Sequence, residues 1–243
     1  MMVGVMMAVV LSQTPGTVSG SQSTFRAESP RNFTLELKLG PYTPLIDSAN
    51  FPDLRPEDPR PYARVFGATP MLMGEIGLEY MIFQKLGTLS AGVSVAYAEK
   101  FGKAIDAETG MKADQSTGLR ILTVRPTVTY RFDWAAMKYN VPLIPYVKGQ
   151  FVAMPWWVVN GGTLEYSGNL PGQGIAYGFA GTGGLSFMMD FLDQRLARDF
   201  DSSVGVNHTY LFAEFNFQEM LSSATVPLIL SSRHWLFGIA FDL

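Results

Sequence analysis

Phe33, Leu35, Leu37 and Leu39 interleave with Asn32, Thr34, Glu36 and Lys38, four apolar against four polar positions in strict alternation. Strand side chains point to opposite faces with that period, whereas a helix would scatter the same residues around its axis. The pattern recurs. In residues 71–83, Leu72, Gly74, Ile76, Leu78, Tyr80 and Ile82 oppose Met73, Glu75, Gly77 and Glu79. After a short Gln84–Gly87 turn, Leu89, Ala91, Val93, Val95 and Tyr97 oppose Ser90, Gly92, Ser94 and Ala96. Residues 119–132 set Leu122, Val124, Pro126, Val128, Tyr130 and Phe132 against Thr123, Arg125, Thr127, Thr129 and Arg131. Pro126 cannot donate to a ladder, so a bulge is expected there.

Four more segments follow. In 143–157, Val147, Gly149, Phe151 and Ala153 face away from Lys148 and Gln150. Next, Phe179, Gly181, Gly183, Leu185 and Phe187 oppose Gly178, Ala180, Thr182, Gly184 and Ser186, and Leu211, Ala213, Phe215 and Phe217 oppose Tyr210, Phe212, Glu214 and Asn216. The last puts Trp235, Phe237, Ile239, Phe241 and Leu243 opposite Leu236, Gly238, Ala240 and Asp242. Eight segments of about ten residues suit an even-stranded barrel crossing a bilayer at the usual tilt. The expected fold is all-β: an eight-stranded antiparallel up-and-down transmembrane barrel over residues 31–243, the last strand closing on the first.

The connections support one orientation. Those at 41–70, 98–118, 158–174 and 218–232 are long, and those after the second and fourth segments are short. Outer-membrane barrels have short periplasmic turns and long external loops. Residues 190–201 read as one short amphipathic periplasmic helix. Tyr80, Phe83, Tyr130, Phe132, Trp134, Phe187 and Phe241 would form a periplasmic aromatic girdle. Tyr97, Trp156, Trp157, Tyr177, Phe179 and Trp235 would form the outer one. The first external loop, with Pro41, Pro44, Pro52, Pro56, Pro59 and Pro61, reads as an extended surface rather than a packed subdomain.

Composition narrows the class. Charged residues make up 16% of the chain, well under the roughly 25% of soluble domains. A net charge of −3 gives no argument for nucleic acid. The absence of cysteine removes disulfides and thiol chemistry. Residues 1–11 form an apolar run read as a signal-peptide hydrophobic region, and 12–30 as a flexible leader. No later stretch approaches the roughly 18 apolar residues of a spanning helix, so a membrane crossing would need a closed barrel. The rival is a soluble, lipocalin-like ligand-binding barrel with its apolar face inward.

Three stretches carry a family resemblance: Phe33–Tyr42 (FTLELKLGPY), Gly74–Tyr80 (GEIGLEY) and Gly205–Glu214 (GVNHTYLFAE). With them the chain resembles small outer-membrane β-barrels of the OmpA-transmembrane-domain and OmpW kind, and more closely an uncharacterised myxobacterial outer-membrane barrel family. The resemblance implies the bacterial outer membrane as location. It also implies outer-membrane lipid and lipopolysaccharide as surroundings and the barrel assembly machinery as a transient partner. It implies no known activity.

Chemistry concentrates on the polar face, where Glu36, Lys38, Glu75, Glu79, Arg125, Arg131, Lys148 and Glu214 would meet in the lumen. Buried charges must pair or stay hydrated. An eight-stranded barrel is just wide enough to be filled by its own side chains. An internal ionic plug is therefore expected, with a narrow pore for ions or small solutes as the alternative. Some small outer-membrane barrels hydrolyse lipid with Ser, His and an acid. Around His208, however, Asn207, Thr209 and Tyr210 supply no serine, so a rim histidine bonded to backbone is expected; His234, near the outer end of the last segment, is too isolated to form a triad. Gly178, Gly181, Gly183 and Gly184 lack nucleotide-loop spacing and are read as relieving crowding. Asp47, Asp53, Glu57, Asp58, Asp106, Glu108 and Asp114 fit no calcium loop. No catalysis, cofactor or metal is expected.

Overall fold

The computed structural model describes residues 31–49, 53, 60–105, 111–139, 141–167, 170–191, 205–221 and 228–243. The signal-peptide and leader readings lie outside them, as do Glu57, Asp58, Asp106, Glu108 and most of the helix expected at 190–201. In chain order the strands are β1 (Phe33–Tyr42), β2 (Met71–Gln84), β3 (Thr88–Ile105), β4 (Lys112–Arg131) and β5 (Leu143–Asn160). Three two-residue strands follow, β6 (Thr163–Leu164), β7 (Tyr166–Ser167) and β8 (Leu170–Pro171). The long strands β9 (Gln173–Met188), β10 (His208–Leu221) and β11 (Ser232–Asp242) complete the set. Helices α1 (Ile46–Ala49) and α2 (Pro61–Phe66) lie between β1 and β2, and α3 (Trp134–Tyr139) follows β4. The segment after β9 begins as a 3-10 turn, Met189–Phe191.

Each of the eight long strands pairs antiparallel with its chain neighbour, and β11 returns to β1, so the sheet closes. Closure runs from Thr34 opposite Asp242 to Leu39 opposite Phe237. Passing through registered partners from Thr34 by Glu79, Gly92, Thr127, Gln150, Ala180, Gln218 and Ser232 leads back to β1 ten residues further along, beside the Leu45 N–H donated to Ser231 O at 2.8 Å. Such a stagger means strongly tilted strands, about 40° from the barrel axis. Both described chain ends share the lower rim, where the Leu243 N–H donates to Phe33 O at 2.8 Å.

No bulge forms at Pro126. The β3 register is continuous through Val93 opposite Pro126, and the β4–β5 ladder skips that position but resumes unchanged from Val124–Ala153 to Thr127–Gln150. The missing N–H interrupts a ladder without adding a residue. Irregularities fall instead at Met81–Phe83, just before the β2–β3 turn, and at Lys103–Ile105 near the β3–β4 tip. That turn is pinned where the Tyr130 hydroxyl donates to Leu86 O at 3.0 Å, and Gly87 takes φ 142°.

Three connections differ from expectation. β3 and β4 run on to Ile105 and Lys112, so most of the supposed 98–118 loop is sheet. β5 extends to Asn160 before turning at Gly161 and Gly162. In the first long connection the described parts pack rather than extend, with Ile46 and Tyr62 buried in two short helices, while Pro52, Pro56 and Pro59 lie outside the described residues. Asp47 joins them, its carboxylate accepting the backbone N–H groups of Tyr62 at 2.7 Å and Ala63 at 3.1 Å.

Candidate functional site: the barrel interior

The wall decides which way the polar face points. Leu39, Leu72, Ile82, Phe179 and Phe237 are 58, 70, 59, 60 and 55% exposed, whereas Arg125 and Glu214 are each 1% exposed. This is the reverse of a lipocalin-type barrel, whose apolar face is interior. Glu36, Lys38, Glu75, Glu79, Arg125, Arg131, Lys148 and Glu214 all lie buried inside, contributed by β1, β2, β4, β5 and β10.

Lys148 is the hub. Its ammonium donates to both oxygens of Glu36 at 2.7 and 2.6 Å and stands 3.6 Å from Glu79 and 3.5 Å from Glu214. Lys38 lies 3.0 Å from each of Glu36, Glu75 and Glu214. Arg125 pairs with Glu75 through Nη1 and donates to Gln218 Oε1 at 3.1 Å through Nη2. Glu79 also accepts the Ser90 hydroxyl and, at 2.8 Å, the Thr129 hydroxyl. The Tyr146 hydroxyl donates to Glu214 at 2.8 Å. Gly184 makes room for that ring, since a Cβ there would lie 2.3 Å from Tyr146 Cζ and 2.5 Å from its hydroxyl oxygen.

Arg131 stands apart at the lower rim. It donates to Asp242 at 3.1 Å and to Thr34 Oγ1 at 2.8 Å. Asp242 also accepts hydroxyl protons from Thr34 at 2.8 Å and Tyr210 at 3.1 Å, and Arg31 lies 3.9 Å from it. Sequence reasoning put Asp242 on the polar face but passed over it as a lumen charge. Tyr146, Tyr210 and Gln218 were also overlooked, because hydroxyls and amides do not stand out in a search for charge.

Above the ions the interior turns apolar. Tyr42, Met71, Met73, Ile121, Met154 and Trp156 pack as a buried cluster, joined by Ile46 of α1, Tyr62 of α2 and Leu230. Trp156 thus leaves the outer girdle: it is 5% exposed and points inward, as the even positions of β5 do. Other rim aromatics face outward, with Phe33–Tyr80 (5.3 Å between ring centroids) and Tyr130–Phe132 (4.7 Å) below, and Phe151–Phe179 (5.6 Å) and Phe215–Trp235 (5.3 Å) above. In α2, Tyr62 has its hydroxyl pKa pushed up to about 12, first by burial and then by the Asp47 carboxylate.

The histidines sit in different settings. The His208 Nδ1 lies 2.5 Å from the Asp190 carboxylate rather than on backbone, and among the described residues no serine hydroxyl is hydrogen-bonded to it. His234, expected near the outer end of the last strand, is buried in the lumen, 3.1 Å from Ser232 Oγ and edge-on to Tyr42, and no carboxylate is hydrogen-bonded to it among the described residues. No group of metal-binding side chains occurs among the described residues.

No protein-family model matches the chain, and no curated protein does. The likeness to a myxobacterial family therefore gains nothing from these comparisons. Among solved structures, the chain is similar to the Neisserial surface protein A, with 12% identity, a TM-score of 0.48, and 87% of this chain and 97% of that one covered. The N-terminal β-barrel domain of Pseudomonas aeruginosa OprF gives 12%, 0.34, 88% and 98%. Ail, the attachment invasion locus protein of Yersinia pestis, gives 8%, 0.39, 87% and 97%.

Proposed function

We propose that the chain is an integral outer-membrane β-barrel with a filled lumen, and that its role is structural or one of surface interaction through the connections at its upper rim. The observation that carries this reading is the inside-out polarity: a charged, hydrogen-bonded interior within a wall of exposed Leu, Ile, Val and Phe. Only lipid suits that wall, and a closed sheet alone leaves no unpaired strand edge to it. The upper rim is external in this reading, with phospholipid and lipopolysaccharide as surroundings and the barrel assembly machinery as the route in. Kinship with the myxobacterial family belongs to the same proposal and rests on the three stretches quoted above.

Electrophoretic mobility of detergent-refolded protein before and after boiling tests it. A heat-dependent shift is expected. Absence of a shift, together with solubility without detergent, would overturn the membrane reading. The filled lumen is checked separately in planar bilayers, where no steady single-channel conductance is expected. The reading assigns no catalysis; turnover of lipid A or phospholipid by the refolded protein would contradict it.

A further inference from the structure

The outer wall holds a groove of about 950 Å³. Its length is built by Leu211, Ile239, Leu37, Ile76 and Val95, which are successive partners on β10, β11, β1, β2 and β3. Four strand spacings make that path roughly 20 Å, comparable to an extended acyl chain. The floor is low where Gly74 has no side chain; a Cβ there would meet only Leu39 Cδ2, at 3.5 Å. Because registered partners climb around a staggered barrel, the groove rises from Leu211 to Val95 and ends at Tyr97.

Polar chemistry begins at that upper end. Two residues beyond Tyr97, Glu99 pairs across the ladder with Arg120, whose Nε donates to Glu99 Oε1 at 2.5 Å. The Arg120 side chain is 35% exposed. A guanidinium has four further N–H donors in a fixed fork that matches phosphate. Lys100, the next residue along β3, falls on the opposite face and is held there by Thr69 O at 3.0 Å. An apolar trough that ends beside a partly exposed guanidinium with N–H donors to spare has the layout of a lipid with an anionic head.

We infer that this groove seats one phosphate-bearing membrane lipid, with an acyl chain lying across β10, β11, β1, β2 and β3 and the phosphate on Arg120. The inference rests on the membrane-barrel reading. Its test is native mass spectrometry of the refolded full chain released from detergent, titrated with phosphatidylglycerol or with diacylglycerol of the same chains. One phosphatidylglycerol per barrel is expected to be retained. Gly74→Leu, or Ile76→Trp as a second way of filling the trough, lowers retention of both lipids at least tenfold. Gly181→Leu, on the β9 wall where a Cβ meets nothing within 4 Å, leaves retention unchanged. Arg120→Gln weakens phosphatidylglycerol several-fold and spares diacylglycerol. Equal losses in the Gly74 and Gly181 variants, unchanged retention when the trough is filled, or indifference to Arg120→Gln would each overturn the site. A chain that shifts on heating and needs detergent yet retains no lipid fails this inference alone; one soluble without detergent fails the membrane reading too.

Discussion

Lys148 and Lys38 sit among Glu36, Glu75, Glu79 and Glu214, and no single pair can be credited with holding the interior together. Taking a charge out of water is costly, and only its partners repay that cost. Deleting one partner is therefore worse than deleting two. Arg125→Ala should destabilise the barrel by about 3–5 kcal/mol, since it leaves Glu75 with Lys38 alone as a cation. Replacing Glu75 and Arg125 together by Leu and Met should cost markedly less. The denaturant midpoint of the heat-shifted band measures both; equal losses would contradict a shared network. Tyr62 offers a different test. Its hydroxyl is buried without a hydrogen-bond partner among the described residues, so Tyr62→Phe should be neutral or slightly stabilising. Because folding raises this pKa, its contribution is intact below the ordinary value near 10 and lost as pH rises toward about 12. Proteolysis between β1 and β2 should accelerate over that range in the parent and not in Tyr62→Phe.

Among the elements, strands were far easier to read than what joins them. Alternation marks a strand because its two faces meet different media, and that contrast holds from Phe33 to Leu39 and from Leu72 to Ile82. It fades where both faces meet water, so the upper parts of β3 and β4, with Glu99, Lys100, Lys103 and Lys112, pass for loop. It fades again where the lumen is apolar. Met71, Met73, Met154 and Trp156 occupy inward positions that the polar rule does not flag, although the parity of Lys148 and Gln150 would have placed Trp156 inside. The eight charges were legible because acids and bases are rare on a strand facing lipid; their partners could not be read, since pairing follows from the stagger. Glycines divide the same way. Gly184→Leu should dislodge Tyr146 from Glu214 and lower the melting point of the folded band by several degrees, whereas Gly149→Leu, with nothing within 4 Å, should leave it unchanged. Equal effects would mean that the inward glycine is not needed for the network.

For the molecule as a whole, closure is the condition that makes every strand tenable. Removing residues 232–243 strips β1 and β10 of a shared neighbour and exposes two unsatisfied edges. No heat-shifted band should form on refolding that deletion, and a folded, detergent-stable monomer without β11 would refute the need for closure. The inside-out alternation of the wall and lumen also has a kinetic side. A soluble protein can collapse first and refine later, because one solvent drives all its apolar residues the same way. Here neighbouring residues on one chain ask for opposite media, so neither water nor lipid alone offers a comfortable half-folded state. Acquiring a shape and entering the bilayer should then be one concerted event, its rate governed by how readily the lipid yields.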